Sequence, residues 1–196
     1  MSRKILRYGI GSGILVLSVV CICIVLALYG NVFTRPYPQL LKKISWVLGR
    51  PEPGYNFGVV EAGHLYRSSL PDDRFMRFLN KKYGITRVIC LRHGPLPYEQ
   101  TARELNIDLH IFVWDSTAPP ADPREVEKIL ALMRDKKYVV LVHCGAGSAR
   151  TGYVCARYRI LYQNWPLEKA EKEMNKYWHQ DETIYDKVLQ EEFDNR

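Results

Sequence analysis

The sequence predicts an α/β layer fold on a mostly parallel sheet, preceded by one membrane-spanning helix. Three observations carry that expectation. Strand-like and helix-like stretches alternate from about residue 58 onward, the pattern of a parallel sheet with crossover helices. One run, Tyr138-Val139-Val140-Leu141-Val142, is apolar or aromatic without interruption, as in a strand covered on both faces. The 20 residues from Ile10 to Tyr29 carry no charge. At about 1.5 Å per residue they reach roughly 30 Å, the depth of a bilayer core.

The anchor comes first in the chain. Arg3, Lys4 and Arg7 precede it, and no charge follows until Arg35. A backbone this apolar satisfies its hydrogen bonds internally, so a spanning helix is expected. A cleaved leader is the poorer reading, because the run is long and no Ala-x-Ala site follows it. The expected division is a basic start at 1–9, an anchor at 10–29, a juxtamembrane linker at 30–51 and a folded domain at 52–196. The expected location is therefore a membrane, crossed once. Arg35, Lys42 and Lys43 nearly balance the amino-terminal charges, so the side holding the domain stays open. Leu40, Leu41, Ile44, Val47 and Leu48 recur at helical spacing, suiting a short helix that lies on headgroups or packs on the domain. Arg50-Pro51-Glu52-Pro53-Gly54 ends it.

Within the domain, Gly58–Glu61 and Leu65–Tyr66 read as strands around an Ala62-Gly63 turn. Pro71-Asp72-Asp73 opens a helix to Tyr83, with Gly84 as its stop. Arg87–Leu91 is a strand, Tyr98–Leu105 a helix and Leu109–Val113 a strand. Pro120–Asp122 opens a helix whose apolar stripe is Val126, Ile129, Leu130 and Met133. The Tyr138–Val142 strand leads into a helix over Thr151–Tyr162. Asn164-Trp165-Pro166 breaks it, and Leu167–Tyr177 and Ile184–Phe193 are further helices.

Composition narrows the function. Apolar residues make up 47 % and charged residues 25 % of 196, an ordinary globular balance. Five cysteines are too few for a disulfide scaffold. The net charge is +7, but three of the basic residues precede the anchor with no acid beside them. What remains is mildly and diffusely basic, which suits an anionic substrate and does not suit nucleic acid. His64, His110 and His179 lack ligand-like spacing, so neither a metal nor another cofactor is expected.

The chemistry concentrates at the end of the last buried strand, in His143-Cys144-Gly145-Ala146-Gly147-Ser148-Ala149-Arg150-Thr151-Gly152. Between Cys144 and Arg150 stand only Gly, Ala and Ser. Small residues let a loop curl until its N–H groups converge on an anion, and the next helix aims its N-terminus at the same point. Gly145, Ala146, Gly147, Ser148, Ala149 and Arg150 are thus the expected substrate-binding set. Arg150 offers a two-pronged contact to phosphate oxygens. Cys144, at the floor of the cup, is favoured as thiolate and is the expected nucleophile. Phosphoryl transfer to sulfur also needs a proton for the leaving oxygen. Asp115 follows the end of a strand on the same side of the sheet and is the expected general acid. Asp122, the other nearby acid, reads as a helix N-cap. Thr151 can donate a hydrogen bond to the sulfur, so it joins the catalytic set. His143 is expected to order the loop. Arg92 and His93 line the rim or face solvent. Cys155 and Cys90 read as core, although a disulfide between Cys90 and Cys144 would form if their sulfurs approach.

The His-Cys-x5-Arg-Thr-Gly signature at 143–152, with Asp115 upstream, resembles the cysteine-dependent protein tyrosine phosphatase superfamily. The domain's size is similar to the dual-specificity branch. Leu65-Tyr66-Arg67-Ser68-Ser69-Leu70-Pro71, Val88-Ile89-Cys90-Leu91-Arg92 and Ala156-Arg157-Tyr158-Arg159-Ile160 before Asn164-Trp165 resemble its bacterial members. The resemblance implies four or five strands flanked by helices, and a phosphocysteine intermediate hydrolysed without metal. Members acting on inositol phosphates or phosphoinositides often carry Lys within the loop. None stands at Gly145, Ala146, Ser148 or Ala149, which favours a singly phosphorylated protein, with phosphotyrosine first and phosphoserine or phosphothreonine beside it. A lipid phosphate is the alternative substrate, and a non-catalytic phosphate-binding module is the alternative of another class.

Overall fold

The computed structural model describes residues 37–115, 117–118, 122–178 and 183–194. Five strands form one sheet in the order β1-β2-β5-β3-β4. They are β1 (Gly58–Glu61), β2 (Leu65–Ser68), β3 (Arg87–Cys90), β4 (Asp108–Ile111) and β5 (Val140–His143). The helices are α1 (Tyr37–Val47), α2 (Asp73–Tyr83), α3 (Glu99–Glu104), α4 (Pro123–Arg134), α5 (Ala149–Gln163), α6 (Leu167–Met174) and α7 (Ile184–Phe193), with a 3-10 turn at Glu52–Tyr55.

The expected mostly parallel sheet is corrected to a mixed one. Strands β2, β5, β3 and β4 run parallel, but β1 pairs antiparallel with β2. The reason is the length of the connection. The Ala62-Gly63 turn is too short for a crossover helix, so the chain can only double back. Gly63 takes φ +76°, which the tight reversal requires.

The expected single-pass membrane architecture is corrected as well. Among the described residues no helix is long and apolar enough to cross a membrane. The anchor expected at 10–29 lies outside the described residues. The apolar helix nearest to it, α1, has 11 residues, about 16 Å of axis, and packs on the domain. Trp46 donates its indole N–H to the Tyr55 hydroxyl at 3.3 Å and meets Phe78 edge to face at 5.8 Å. Lys42 lies over the Tyr55 ring and Arg74 over Trp46. Of the two placements open for this helix, the domain surface is the one observed, while Leu40, Ile44, Val47 and Leu48 face outward.

Strand alternation divides the core into two layers. In β5, Val140 and Val142 face the layer of α4, α5, α6 and α7, whereas Leu141 faces α2 and α3. All four β5 residues are buried, but the strand starts two residues later than the apolar run predicts, leaving Tyr138 and Val139 half-buried before it. Local signals set several ends. Asp72 accepts from the Phe75 N–H at 2.8 Å and caps α2, and Gly84 at φ +71° closes it. Asp122 caps α4 through the Arg124 N–H. On α5, Arg159 reaches Glu173 of α6 and the carbonyls of Val59 and Val60, tying the hairpin to the helical layer. Parallel β3 and β5 pair Cys90 with His143, so the segments beyond them emerge side by side at one end of the sheet.

Candidate active site

Between β5 and α5 the chain curls, and its carbonyls are drawn outward by three separate elements. The Leu70 N–H donates to Gly145 O at 2.9 Å. Asn56, in the left-handed region at φ 49°, donates its side-chain amide to Ala146 O at 3.0 Å. Arg67 of β2 donates to Gly147 O at 2.7 Å. Peptide units pinned this way turn their N–H groups into the cup. Gly147 is required by its surroundings. Its φ is +70°, and a Cβ there would lie 2.4 Å from Ser68 O. The Ser148 hydroxyl donates to Trp178 O at 3.2 Å, closing the far side.

Cys144 lies at the bottom, 2 % exposed. Burial by itself raises a thiol. The Thr151 side chain, the Arg150 charge and the N–H groups of Thr151 and Gly147 outweigh it, and hold Cys144 below the ordinary thiol value. Thr151 Oγ1 is buried and has no regularly aligned hydrogen-bond partner, so its proton is available to an ionised sulfur. The other described cysteines behave oppositely. Burial pushes Cys155 up to about 11 and raises Cys90 too. Cys90, Cys144 and Cys155 are all free thiols.

His143 is fully buried, and burial, reinforced by the Arg92 and Arg150 charges, pushes it down to about 4. Its ring is therefore neutral and carries one proton. Nδ1 lies 3.0 Å from Cys144 O and Nε2 lies 2.6 Å from the Tyr98 hydroxyl. Since a carbonyl only accepts, Nδ1 donates to it and Nε2 accepts from Tyr98. His143 thus links the carbonyl of Cys144 to the Tyr98 hydroxyl.

Arg150 opens α5 and donates from Nη1 to Trp114 O at 2.8 Å. That bond joins the cup to the segment after β4. Asp115 is the next residue; it is exposed, and its Oδ1 accepts from the N–H and hydroxyl of Thr117 at 2.8 and 2.7 Å. Its carbonyl accepts from the Tyr185 hydroxyl of α7 at 2.5 Å. Asp122 is engaged at the α4 cap and with Arg124, away from this group. Arg92 follows β3, donates to Pro95 O at 3.2 Å, and adds positive charge beside His143. His93 is exposed.

The structure thus brings Cys144, the loop, Arg150, Thr151 and the Trp114–Asp115 backbone together. Sequence reasoning missed Asn56, Arg67, Tyr98 and Tyr185. Arg67 left a readable signal, since a charged residue in a fully buried strand needs a partner. The others left none, because each acts across a long stretch of chain. A cup lined by N–H groups and Arg150, with an ionisable sulfur at its base and the Asp115 carboxyl on the segment that Arg150 holds, has the groups needed to accept a phosphoryl group and to protonate a leaving oxygen.

Residues 52–196 match the model of the tyrosine phosphatase family. The chain belongs to this family. Among its relatives, the chain is 30 % identical to the dual specificity protein phosphatase TpbA of Pseudomonas aeruginosa over 114 residues, 56 % of this chain and 49 % of TpbA. It is also 30 % identical to the inositol diphosphatase DSP3 of Arabidopsis thaliana over 130 residues, 63 % of each chain. The chain therefore spans about half to two thirds of the length of these relatives. In fold it is similar to the catalytic core of Siw14 from S. cerevisiae, with a TM-score of 0.61 and 23 % identity over 71 % of this chain and 85 % of that one. Signature and relatives together place the chain in the cysteine-dependent protein tyrosine phosphatase superfamily, on its dual-specificity-like side.

Proposed function

We propose that this phosphatase hydrolyses phosphomonoesters on proteins, phosphotyrosine first and phosphoserine or phosphothreonine beside it. The phosphate sits in the cup of Gly145, Ala146, Gly147, Ser148 and Ala149, gripped by Arg150. Cys144 Sγ attacks phosphorus as the bond to the leaving oxygen breaks, and the Asp115 carboxyl gives that oxygen its proton. Water then attacks the phosphocysteine and returns a proton to Asp115. Phosphate leaves, and the sulfur departs as a thiolate steadied by Thr151.

The observation that carries this reading is the environment of Cys144, where the Thr151 side chain, the Arg150 charge and two N–H groups favour the thiolate despite burial. The substrate class rests on the loop. One relative is named for protein phosphate and another for inositol diphosphate. A densely charged inositol phosphate calls for added cations in the cup, and Gly145, Ala146, Ser148 and Ala149 supply none.

The test is turnover of p-nitrophenyl phosphate, phosphotyrosine peptides, phosphoserine peptides, inositol polyphosphates and micellar phosphoinositides. Cys144→Ser is expected to reduce every rate to background. Asp115→Asn should cost roughly 10²- to 10³-fold with phosphotyrosine peptide. Full activity of Cys144→Ser would overturn the mechanism. A kcat/KM higher for inositol or lipid phosphates than for peptides would overturn the substrate class. Tight peptide binding with no phosphate released by the wild type would make the protein a docking module.

A further inference from the structure

The Trp114–Asp115 segment is held at two neighbouring carbonyls by two different helices, α5 and α7. Arg150 takes Trp114 O at 2.8 Å from the cup, and Tyr185 takes Asp115 O at 2.5 Å from α7. Tyr185 is buried, and its ring lies nearly parallel to Trp114 with centroids 6.2 Å apart. Trp114 is fixed in turn by its indole N–H, which donates to Glu125 of α4 at 2.9 Å. Tyr185 is also close enough to feel the charges of Arg150, Cys144 and Asp115.

Helix α7 is built to present this hydroxyl firmly. Asp186 Oδ2 accepts from the N–H and the hydroxyl of the N-cap Thr183, both at 2.7 Å, fixing the helix start at Ile184, one residue before Tyr185. Near the other end, Glu192 accepts from Tyr153 at 2.9 Å and Arg157 at 2.7 Å, both on α5. The same helix that supplies Arg150 therefore anchors the helix that supplies Tyr185.

We propose that Tyr185 is a positioning residue: with Arg150 it clamps the Trp114–Asp115 backbone, holding the Asp115 carboxyl over the leaving oxygen. The proposal rests on the reading of Asp115 as general acid. Losing the hydroxyl should leave binding of phosphate in the cup unchanged, because that hydroxyl donates to Asp115 O and not to a loop carbonyl. It loosens proton delivery, and that matters most when the leaving group is poor.

The test compares wild type, Tyr185→Phe and Asp115→Asn on p-nitrophenyl phosphate, which leaves readily, and on phenyl phosphate, which needs the proton. Tyr185→Phe keeps the ring against Trp114 and removes only the hydrogen bond. The expected result is kcat on phenyl phosphate down about tenfold, kcat on p-nitrophenyl phosphate within about twofold, and KM unchanged on both. Asp115→Asn should show the same preference more steeply. Hydrogen exchange in residues 112–115 should quicken in Tyr185→Phe while the melting temperature stays near wild type.

If Asp115→Asn selectively loses phenyl phosphate and Tyr185→Phe does not, the clamp is wrong and the acid assignment stands. If Asp115→Asn shows no leaving-group preference, the acid assignment falls and takes the clamp with it. Equal losses on both substrates in Tyr185→Phe, with a lowered melting temperature, would make Tyr185 merely structural and overturn the proposal.

Discussion

At Thr151 a single hydroxyl favours the ionised form of the sulfur. Its interaction with Cys144 leads those that oppose the effect of burial. A valine has nearly the same shape and no proton to give, so Thr151→Val should move thiolate formation to higher pH. The sign follows from the direction of the shift. A thiol held low stays ionised as the solution is made mildly acidic, and one released from that influence protonates sooner. Alkylation by iodoacetamide, followed against pH, should therefore fall off at higher pH in the variant. The phosphocysteine should also break down more slowly, with kcat lower by roughly tenfold, since a charge-assisted hydrogen bond to the departing sulfur is lost. An unchanged alkylation profile would leave Arg150 and the two N–H groups as sufficient. The residue scale was largely legible in advance. Cys144, Arg150, Thr151 and the cup are local in sequence, and spacing plus small side chains encode them. The Tyr98–His143 bond joins residues 45 apart, and the Tyr185–Asp115 bond joins residues 70 apart. No window along the chain contains both partners.

Among the elements, the β1–β2 hairpin does more than extend the sheet. It carries Arg67 beneath the cup and places Ser68 O against Gly147. Gly147→Ala would keep the loop chemically bland yet put a Cβ into that carbonyl and force a positive φ on alanine. The backbone penalty alone is about 1–3 kcal/mol, and the clash adds to it unless the hairpin moves. Urea unfolding should show the lost stability, and kcat/KM should fall by more than tenfold as the N–H groups tilt away. The sequence reading found the hairpin but stopped β2 at Tyr66. It therefore left Arg67 out of the sheet and out of the site, although the strand continues to Ser68. Helix boundaries were easier to read, because Asp72, Gly84 and Asp122 each announce an end with their own side chain or its absence.

For the molecule as a whole, the folded body includes α1, which the composition had assigned to a linker. Its amphipathic spacing was visible, but spacing cannot say what an apolar face meets. Trp46, Lys42 and the rings of Tyr55 and Phe78 supply that answer only in three dimensions. A chain shortened to begin at Glu52 should thus be less stable than one beginning at Tyr37, by about 1–3 kcal/mol from the uncovered rings. Thermal melting of the two fragments measures it, and equal midpoints would show α1 to be an idle attachment. Both fragments should keep their activity at 25 °C, because α1 lies on the α2 side and contributes no group to the cup. The order of assembly is also constrained. The floor of the cup hangs from Arg67, 80 residues before its Gly147 partner, and the acid segment from Tyr185, well beyond the nucleophile. During synthesis the sulfur leaves the ribosome long before the helix that steadies its proton donor. A chain cut before α7 would lack both the Tyr185 hydroxyl on the Asp115 carbonyl and part of the core beneath Cys144.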